Sequence, residues 1–266
     1  MTHSSTPMSE PRTPAGNPRE AVAGAEYVRH ITRLDSDRRA RAAFQAVALG
    51  LAPPAGALLD FGAGTGMDAR FFAERGFSVD AYDPDERMCD YLAVECGELI
   101  AAGRVRLERG AYAEYLRRER DRAPVDLVVS NFAPFSLVDD IAELFAVLDR
   151  RVKPGGKILA SVLNPCFMAE MRRAWWWRRV PRLWRDGGYS VPGPHRPVAR
   201  RRLACFAAAC EPHFRLARIY RGLASPHGAA PPGIDAGRPF AWTTALSSRF
   251  MFLLFEKPSA GDAVRT

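Results

Sequence analysis

The chain has 266 residues, 47% of them hydrophobic and 26% charged, which allows one sizeable α/β domain with its own core. No run of eighteen apolar residues occurs, which argues against a transmembrane helix, and the N-terminus lacks the apolar stretch of a secretory signal. The net charge of +8 is local: Cys166 to Arg202 holds ten arginines against Glu170 and Asp186, and the remainder is neutral overall.

Residues 1–18 are rich in Ser, Thr, Pro and Gly and read as a disordered leader. From Arg19 to Leu34 a helix is expected, because Tyr27, His30, Ile31 and Leu34 share one face. A second helix, Ser36 to Leu51, turns Ala43, Phe44, Val47 and Leu51 inward, and "APPAG" ends it. Alternation then begins. Strands are expected at Ala57–Phe61, Ser78–Tyr82, Val105–Glu108, Asp126–Ser130 and Lys157–Leu163. The helices between them are Met67–Arg75, Asp85–Ala101, Tyr112–Arg118 and Asp139–Arg151, with "KPGG" as a turn before the fifth strand. Short apolar runs such as "LLDF" and "DLVVS" suit parallel strands buried on both faces.

After Pro165 the rhythm breaks. Residues 166–197 carry four of the five tryptophans and read as an insertion. A helix at Val198–Cys210, a strand at Phe214–Tyr220, a Gly/Pro/Ala-rich loop at Ala224–Arg238 and a last strand at Arg249–Glu256 follow. Residues 19–258 thus form one domain, with 259–266 as a tail. The five cysteines, none in a CxxC pair, suit reduced thiols in a cytoplasmic protein.

The stretch "LLDFGAGTGMDARFFAERGFSVDAYDPD" is the most specific signal. Gly62, Gly64 and Gly66 lie where a buried strand gives way to a helix, so the backbone can turn tightly and a ligand can approach it. A dinucleotide cradle needs G-x-G-x-x-G, and here Met67 stands where its third glycine is required. The Lys-Ser/Thr pair of a phosphate loop is absent. Asp83, at the end of the second strand, is placed to accept hydrogen bonds from two ribose hydroxyls.

These residues resemble the class I S-adenosylmethionine-dependent methyltransferases. "LLDFGAGTG" is similar to their first motif and "AYDPD" to their ribose-binding acid. "VDLVVSNFAPF" is similar to their fourth-strand motif, and "LDRRVKPGGKILASV" to the approach to their fifth strand. The resemblance implies a Rossmann-like, seven-stranded, mostly parallel sheet flanked by helices, with Arg249–Glu256 antiparallel beside the fifth strand. It implies S-adenosylmethionine as cofactor and S-adenosylhomocysteine as product. Asp60, Gly62, Ala63 and Gly64 would contact the cofactor's methionine and ribose part, Asp83 the ribose hydroxyls, and Pro84 and Met88 the adenine. Asn131 and Phe132 would face the sulfonium and the acceptor, with Tyr27 as a lid residue near the methionine end. Many members carry an acid after the third strand. This chain has Arg109, Gly110 and Ala111 there, so backbone groups at Ala111 and Tyr112 are expected in its place.

Displacement at an activated methyl needs positioning more than acid–base machinery. The base candidates are Tyr27, His30, Asp139, Asp140 and His195, with Asn131 orienting the acceptor. No Cys/His set has zinc spacing, and no G-x-S-x-G elbow appears.

Residues 166–197 fit a cap over an apolar or aromatic small acceptor first, and a helix packed on the core second. A membrane-surface foot ranks third and a nucleic-acid surface fourth. A small-molecule methyltransferase is the leading reading. A nucleic-acid methyltransferase is disfavoured because "NFAPF" has one proline and the charge is confined to one segment. A cofactor-binding protein without transferase activity stays open, and the sequence carries no signal for an oligomeric state.

Overall fold

The computed structural model describes residues 35–118, 122–193, 197–221, 233–235 and 249–259. The leader, the helix at Arg19–Leu34 with Tyr27 and His30, His195, most of the loop 224–238 and residues 260–266 lie outside the described residues.

Helix α1 (Asp35–Leu51) precedes β1 (Ala57–Phe61), α2 (Met67–Ala73), β2 (Ser78–Asp83), α3 (Glu86–Glu95), α4 (Gly97–Ala101) and β3 (Val105–Arg109). Next come α5 (Tyr112–Arg118), β4 (Val125–Ser130), α6 (Ile141–Arg151) and β5 (Val152–Leu163). Three short helices follow: α7 (Met168–Met171), α8 (Ala174–Trp177) and α9 (Val180–Arg185). The chain continues with β6 (Gly188–Val191), β7 (Val198–Arg201), α10 (Leu203–Cys210), β8 (Arg215–Arg221), β9 (Gly233–Asp235) and β10 (Phe250–Glu256).

The main sheet has the order β3-β2-β1-β4-β5-β10-β8-β9. Strands β1 to β5 pair in parallel, and β10 lies antiparallel between β5 and β8. Seven of these strands form the expected sheet, and the three-residue β9 extends its edge. Successive strand residues serve opposite faces. Leu59, Phe61 and Val128 join Phe145 and Phe206 on one side, whereas Leu58, Leu127 and Val129 join Phe44 and Phe72 on the other. This two-sided burial is why the strands read as unbroken apolar runs.

Three local expectations are corrected. The helix expected at Asp85–Ala101 is two helices, parted at Cys96, where Gly97 weakens helical continuity. The "KPGG" turn belongs to β5, as a register irregularity against β4 with Gly155 at φ +74°. Val198–Arg201 is a strand paired with β6 rather than the start of a helix, and α10 begins only at Leu203.

Helix α1 is held by Phe44, whose ring meets Phe252 of β10 edge-on at 5.3 Å. Both side chains are fully buried. Phe252→Ala should lower unfolding stability by about 3–5 kcal/mol. The check is a reduced urea midpoint at unchanged m-value.

Candidate functional site

The sheet order reverses between β2-β1 and β1-β4, so a crevice opens at the carboxyl ends of these strands. A cleft of about 900 Å³ lies there. That is at the upper end of small-molecule sites, with room for a cofactor and an acceptor together. Gly62–Thr65, Asp83–Met88 and Tyr112 line it, together with Arg41, Asn131, Phe132, Pro134, Leu137, Val138 and Val198.

The glycine turn is fixed by β2. Gly62 and Ala63 both donate to the Tyr82 carbonyl, at 2.8 and 2.9 Å. Asp83 accepts from Gly64 N–H at 2.8 Å and from Asp85 N–H at 2.9 Å, one bond to each carboxylate oxygen. A carboxylate can accept about four hydrogen bonds, so two remain for a ligand. Burial pushes the Asp83 pKa above its ordinary 3.8, and the two backbone donors offset this in part. All three glycines have positive φ. A Cβ on Gly62 would lie 2.3 Å from Pro134, whereas one on Gly64 would meet nothing within 4 Å. The cleft therefore reaches the backbone at Gly64.

Beneath the turn, Asp60 is buried and its Oδ2 has no hydrogen-bond partner among the described residues. Burial and then the neighbouring Asp68 raise its pKa well above 3.8, against which Arg41 and the Ala69 N–H act. Asp68, also buried, is gripped from three sides. Arg41 forms an ion pair with it, Gln45 Nε2 donates to Oδ1 at 2.7 Å, and Asn131 Nδ2 donates to Oδ2 at 3.1 Å. Asn131 Oδ1 in turn accepts from Phe132 N–H at 2.9 Å. The Arg41 guanidinium lies 4.6 Å from the centre of the Phe132 ring. Phe132 and Ala133 both have left-handed backbone, φ 58° and 70°, unusual for non-glycine residues.

Of the expected cofactor residues, Gly62, Ala63, Gly64, Asp83, Pro84, Met88, Tyr112, Asn131 and Phe132 line the cleft. Asp60 lies beneath it, and Ala111 is exposed and not in the lining. Of the base candidates, Asp139 and Asp140 are outside the lining, and Asp140 caps α6 by accepting from Ala142 and Glu143 N–H. Arg41, Gln45 and Asp68 were not foreseen. Only the charges at positions 41 and 68, flanking apolar positions on helices beside the glycine turn, hinted at them.

The Trp/Arg segment is a small unit in its own right. Trp176, Leu183 and Tyr189 form a separate buried cluster, with Trp175 packed against it. Among the described residues no side chain of this segment lines the cleft, which receives only Val198 of the adjoining β7, so the four tryptophans are not in the wall expected over an acceptor. Among the described residues no group of three or more His, Cys, Asp or Glu could hold a metal ion.

Two predictions follow from the turn and the acids beneath it. Gly62→Ala forces a methyl into Pro134 on left-handed backbone and should cost about 2–4 kcal/mol, whereas Gly64→Ala should cost only about 1 kcal/mol of backbone strain, both read by chemical denaturation. Asp60 has a folded pKa above its unfolded value, so the fold binds the extra proton and loses stability as pH rises through that window. Asp60→Asn should therefore raise the thermal midpoint at neutral pH, with the gain shrinking towards pH 3.8.

Residues 27–191 match the model of a methyltransferase domain. Over 131 residues the chain is 31% identical to the malonyl-[acyl-carrier protein] O-methyltransferase of Serratia marcescens, covering 48% of this chain and 46% of that protein. Over 122 residues it is 30% identical to the biotin biosynthesis bifunctional protein of Cellvibrio japonicus, covering 44% of this chain and 22% of that one. The chain thus spans less than half the length of these curated relatives. Among solved structures, a TehB-like S-adenosylmethionine-dependent methyltransferase from Corynebacterium glutamicum superposes with a TM-score of 0.56 at 16% identity, covering 91% of this chain and 100% of that one. The 1,6-didemethyltoxoflavin-N1-methyltransferase of Burkholderia thailandensis, with S-adenosylhomocysteine bound, gives 0.54 at 18% identity and covers 93% of both chains. With more than half of its length matched by the family model, the chain belongs to the methyltransferase-domain family and has the fold of the class I S-adenosylmethionine-dependent methyltransferases.

Proposed function

We propose that this methyltransferase domain moves a methyl group from S-adenosylmethionine to a small organic acceptor with an apolar or aromatic part. The observation that carries the reading is a single cleft with two unlike halves. One half offers the backbone at Gly64 and the half-satisfied Asp83 carboxylate; the other is walled by Phe132, Pro134, Leu137, Val138 and Val198. The residues present suit the cofactor. Asp83 has acceptor capacity for a vicinal diol, and a side chain at position 64 would intrude where a ligand must lie close.

When bound, S-adenosylmethionine supplies a methyl group already activated on sulfonium. Asp83 would hold the ribose end, and Met88, Pro84 and Tyr112 would lie around the base. Asn131, fixed by Asp68, and the constrained Phe132–Ala133 backbone set the wall against which the acceptor rests. The apolar wall keeps water from the reacting atoms, which favours displacement. Within the described lining, Asp68 is committed to its ion pair, and Asp83 to two backbone N–H groups and, in this reading, the ribose hydroxyls, so neither is left to act as a general base on the acceptor. Two relatives are named for different acceptors and different methylated atoms, O on malonyl-[acyl-carrier protein] and N1 of 1,6-didemethyltoxoflavin. The acceptor class is therefore read from this chain's own cleft.

Calorimetry with S-adenosylmethionine is the direct test. Asp83→Ala should weaken binding about 100-fold, the worth of one or two charge-assisted hydrogen bonds. In the wild type, affinity should fall with acidification from a pH above 3.8, because the accepting form is the carboxylate and burial raises its pKa. Absence of binding to the wild-type protein would sink the reading.

A further inference from the structure

The Trp/Arg unit leaves two tryptophans facing solvent. Trp176 is buried and its Nε1 donates to the Pro165 carbonyl at 2.8 Å, but Trp177 is 60% and Trp184 68% exposed. Met168 is 53% exposed on the same unit. Turn bonds link α8 to α9, Arg178 N–H to Ala174 and Arg179 N–H to Trp176, and Leu183 to Arg179 and Asp186 to Arg182 close α9. Trp176 and Leu183 are buried in the unit's cluster with Val180 packed against them, whereas Trp177 and Trp184, one on each short helix, are left exposed.

The charges divide in the same way. The two acids of the unit are engaged, Glu170 by Arg200 at 2.8 Å and Asp186 by Arg185 at 2.7 Å. Arg172, Arg173, Arg178 and Arg182 are exposed, and among the described residues none has a carboxylate within salt-bridge distance. Buried Arg200 also bonds the Asn164 carbonyl at 3.0 Å, and Tyr189 OH donates to the Pro165 carbonyl at 3.1 Å. The unit is thus anchored from within; Trp177 meets the buried Trp176 ring edge-on at 4.9 Å and Trp184 lies 5.7 Å from the Arg202 guanidinium, yet both indoles leave most of their surface exposed. Large aromatic side chains left exposed together mark a contact surface.

We propose that this face binds an anionic phospholipid surface, with Trp177 and Trp184 seated at the headgroup level and Arg172, Arg173, Arg178 and Arg182 on lipid phosphates. An indole is suited to that boundary because one edge is apolar and the other polar, and arginine pairs with phosphate in a fork. Charge complementarity selects the partner. The chain's excess positive charge is concentrated here, so a negative surface both attracts and orients the molecule. An acidic folded protein would engage the arginines but offer no general boundary for two exposed indoles. The foot also adjoins the proposed acceptor wall, because β7 carries Val198 into the cleft.

The chain should co-sediment with phosphatidylcholine vesicles that contain phosphatidylglycerol, and not with phosphatidylcholine alone. Binding should weaken steeply with salt. Each Arg→Gln change among the four should reduce partitioning roughly fivefold, about the worth of one arginine near an anionic surface. Trp177→Ser with Trp184→Ser should reduce it roughly tenfold or more, while S-adenosylmethionine binding by calorimetry stays unchanged and reports an intact fold. Failure to bind the anionic vesicles overturns the proposal, as does binding that ignores both sets of changes, or retention on a soluble acidic protein without vesicle binding. The vesicle assay needs no cofactor or acceptor, so its failure is distinct from failure of the methyl-transfer reading.

Discussion

Three carboxylates, Asp60, Asp68 and Asp83, are buried around one glycine turn, and the site depends on how each is compensated. Asp83 is held by backbone N–H groups, Asp68 by the Arg41 guanidinium and two side-chain amides, and Asp60 by little. Burial disfavours the charged carboxylate, which is why Asp60 and Asp83 hold protons more tightly than exposed acids, and for Asp60 the neighbouring Asp68 adds to the effect. A fold selected for stability alone would not keep this cluster. Retaining it at the mouth of the sheet's switch point is consistent with a site that trades stability for ligand binding.

The compensation also ties distant segments together. Arg41 and Gln45 come from α1, Asp68 from α2 and Asn131 from the end of β4, and all meet on one carboxylate. The tie fixes the Asn131 amide, which accepts from Phe132 N–H and helps hold two consecutive left-handed residues. Pro134 then fills the space that a side chain on Gly62 would need. The glycine turn and the fourth-strand turn are consequently one mechanical unit: movement of α1 would be felt at Phe132 through Arg41.

This explains what the sequence could and could not disclose. The strands were legible because two-sided burial demands unbroken apolar runs, and the cofactor half because it is made by backbone, whose need for glycine at positive φ is written locally. The Arg41–Asp68–Asn131 contact was hidden, since it joins residues 27 to 90 positions apart through side chains alone. Helix α1 was recognised by its apolar face, and periodicity says nothing of which flanking charge turns inward. The misread start of α10 has a similar cause: Val198–Arg201 is a strand only because β6 pairs with it, a tertiary override of local propensity. Tyr27 and His30, the lid candidates, lie outside the described residues, so their roles rest on resemblance.

The tryptophans show the limit of composition as a guide. Four aromatic rings beside an expected acceptor pocket suggested a wall, but the fold divides them between a private cluster and solvent. What composition did locate correctly was the charge, because net charge needs no register to be read. Once Arg200 and Arg185 neutralise the unit's acids, the arginines that remain stand beside exposed indoles. Among the described residues, the apolar side chains of the cleft come mainly from the Phe132–Val138 turn, with Val198 of β7 added from just beyond the insertion. The proposed acceptor wall and the insertion's outer face are therefore separable, joined through a single hairpin, and substitutions on one can leave the other intact.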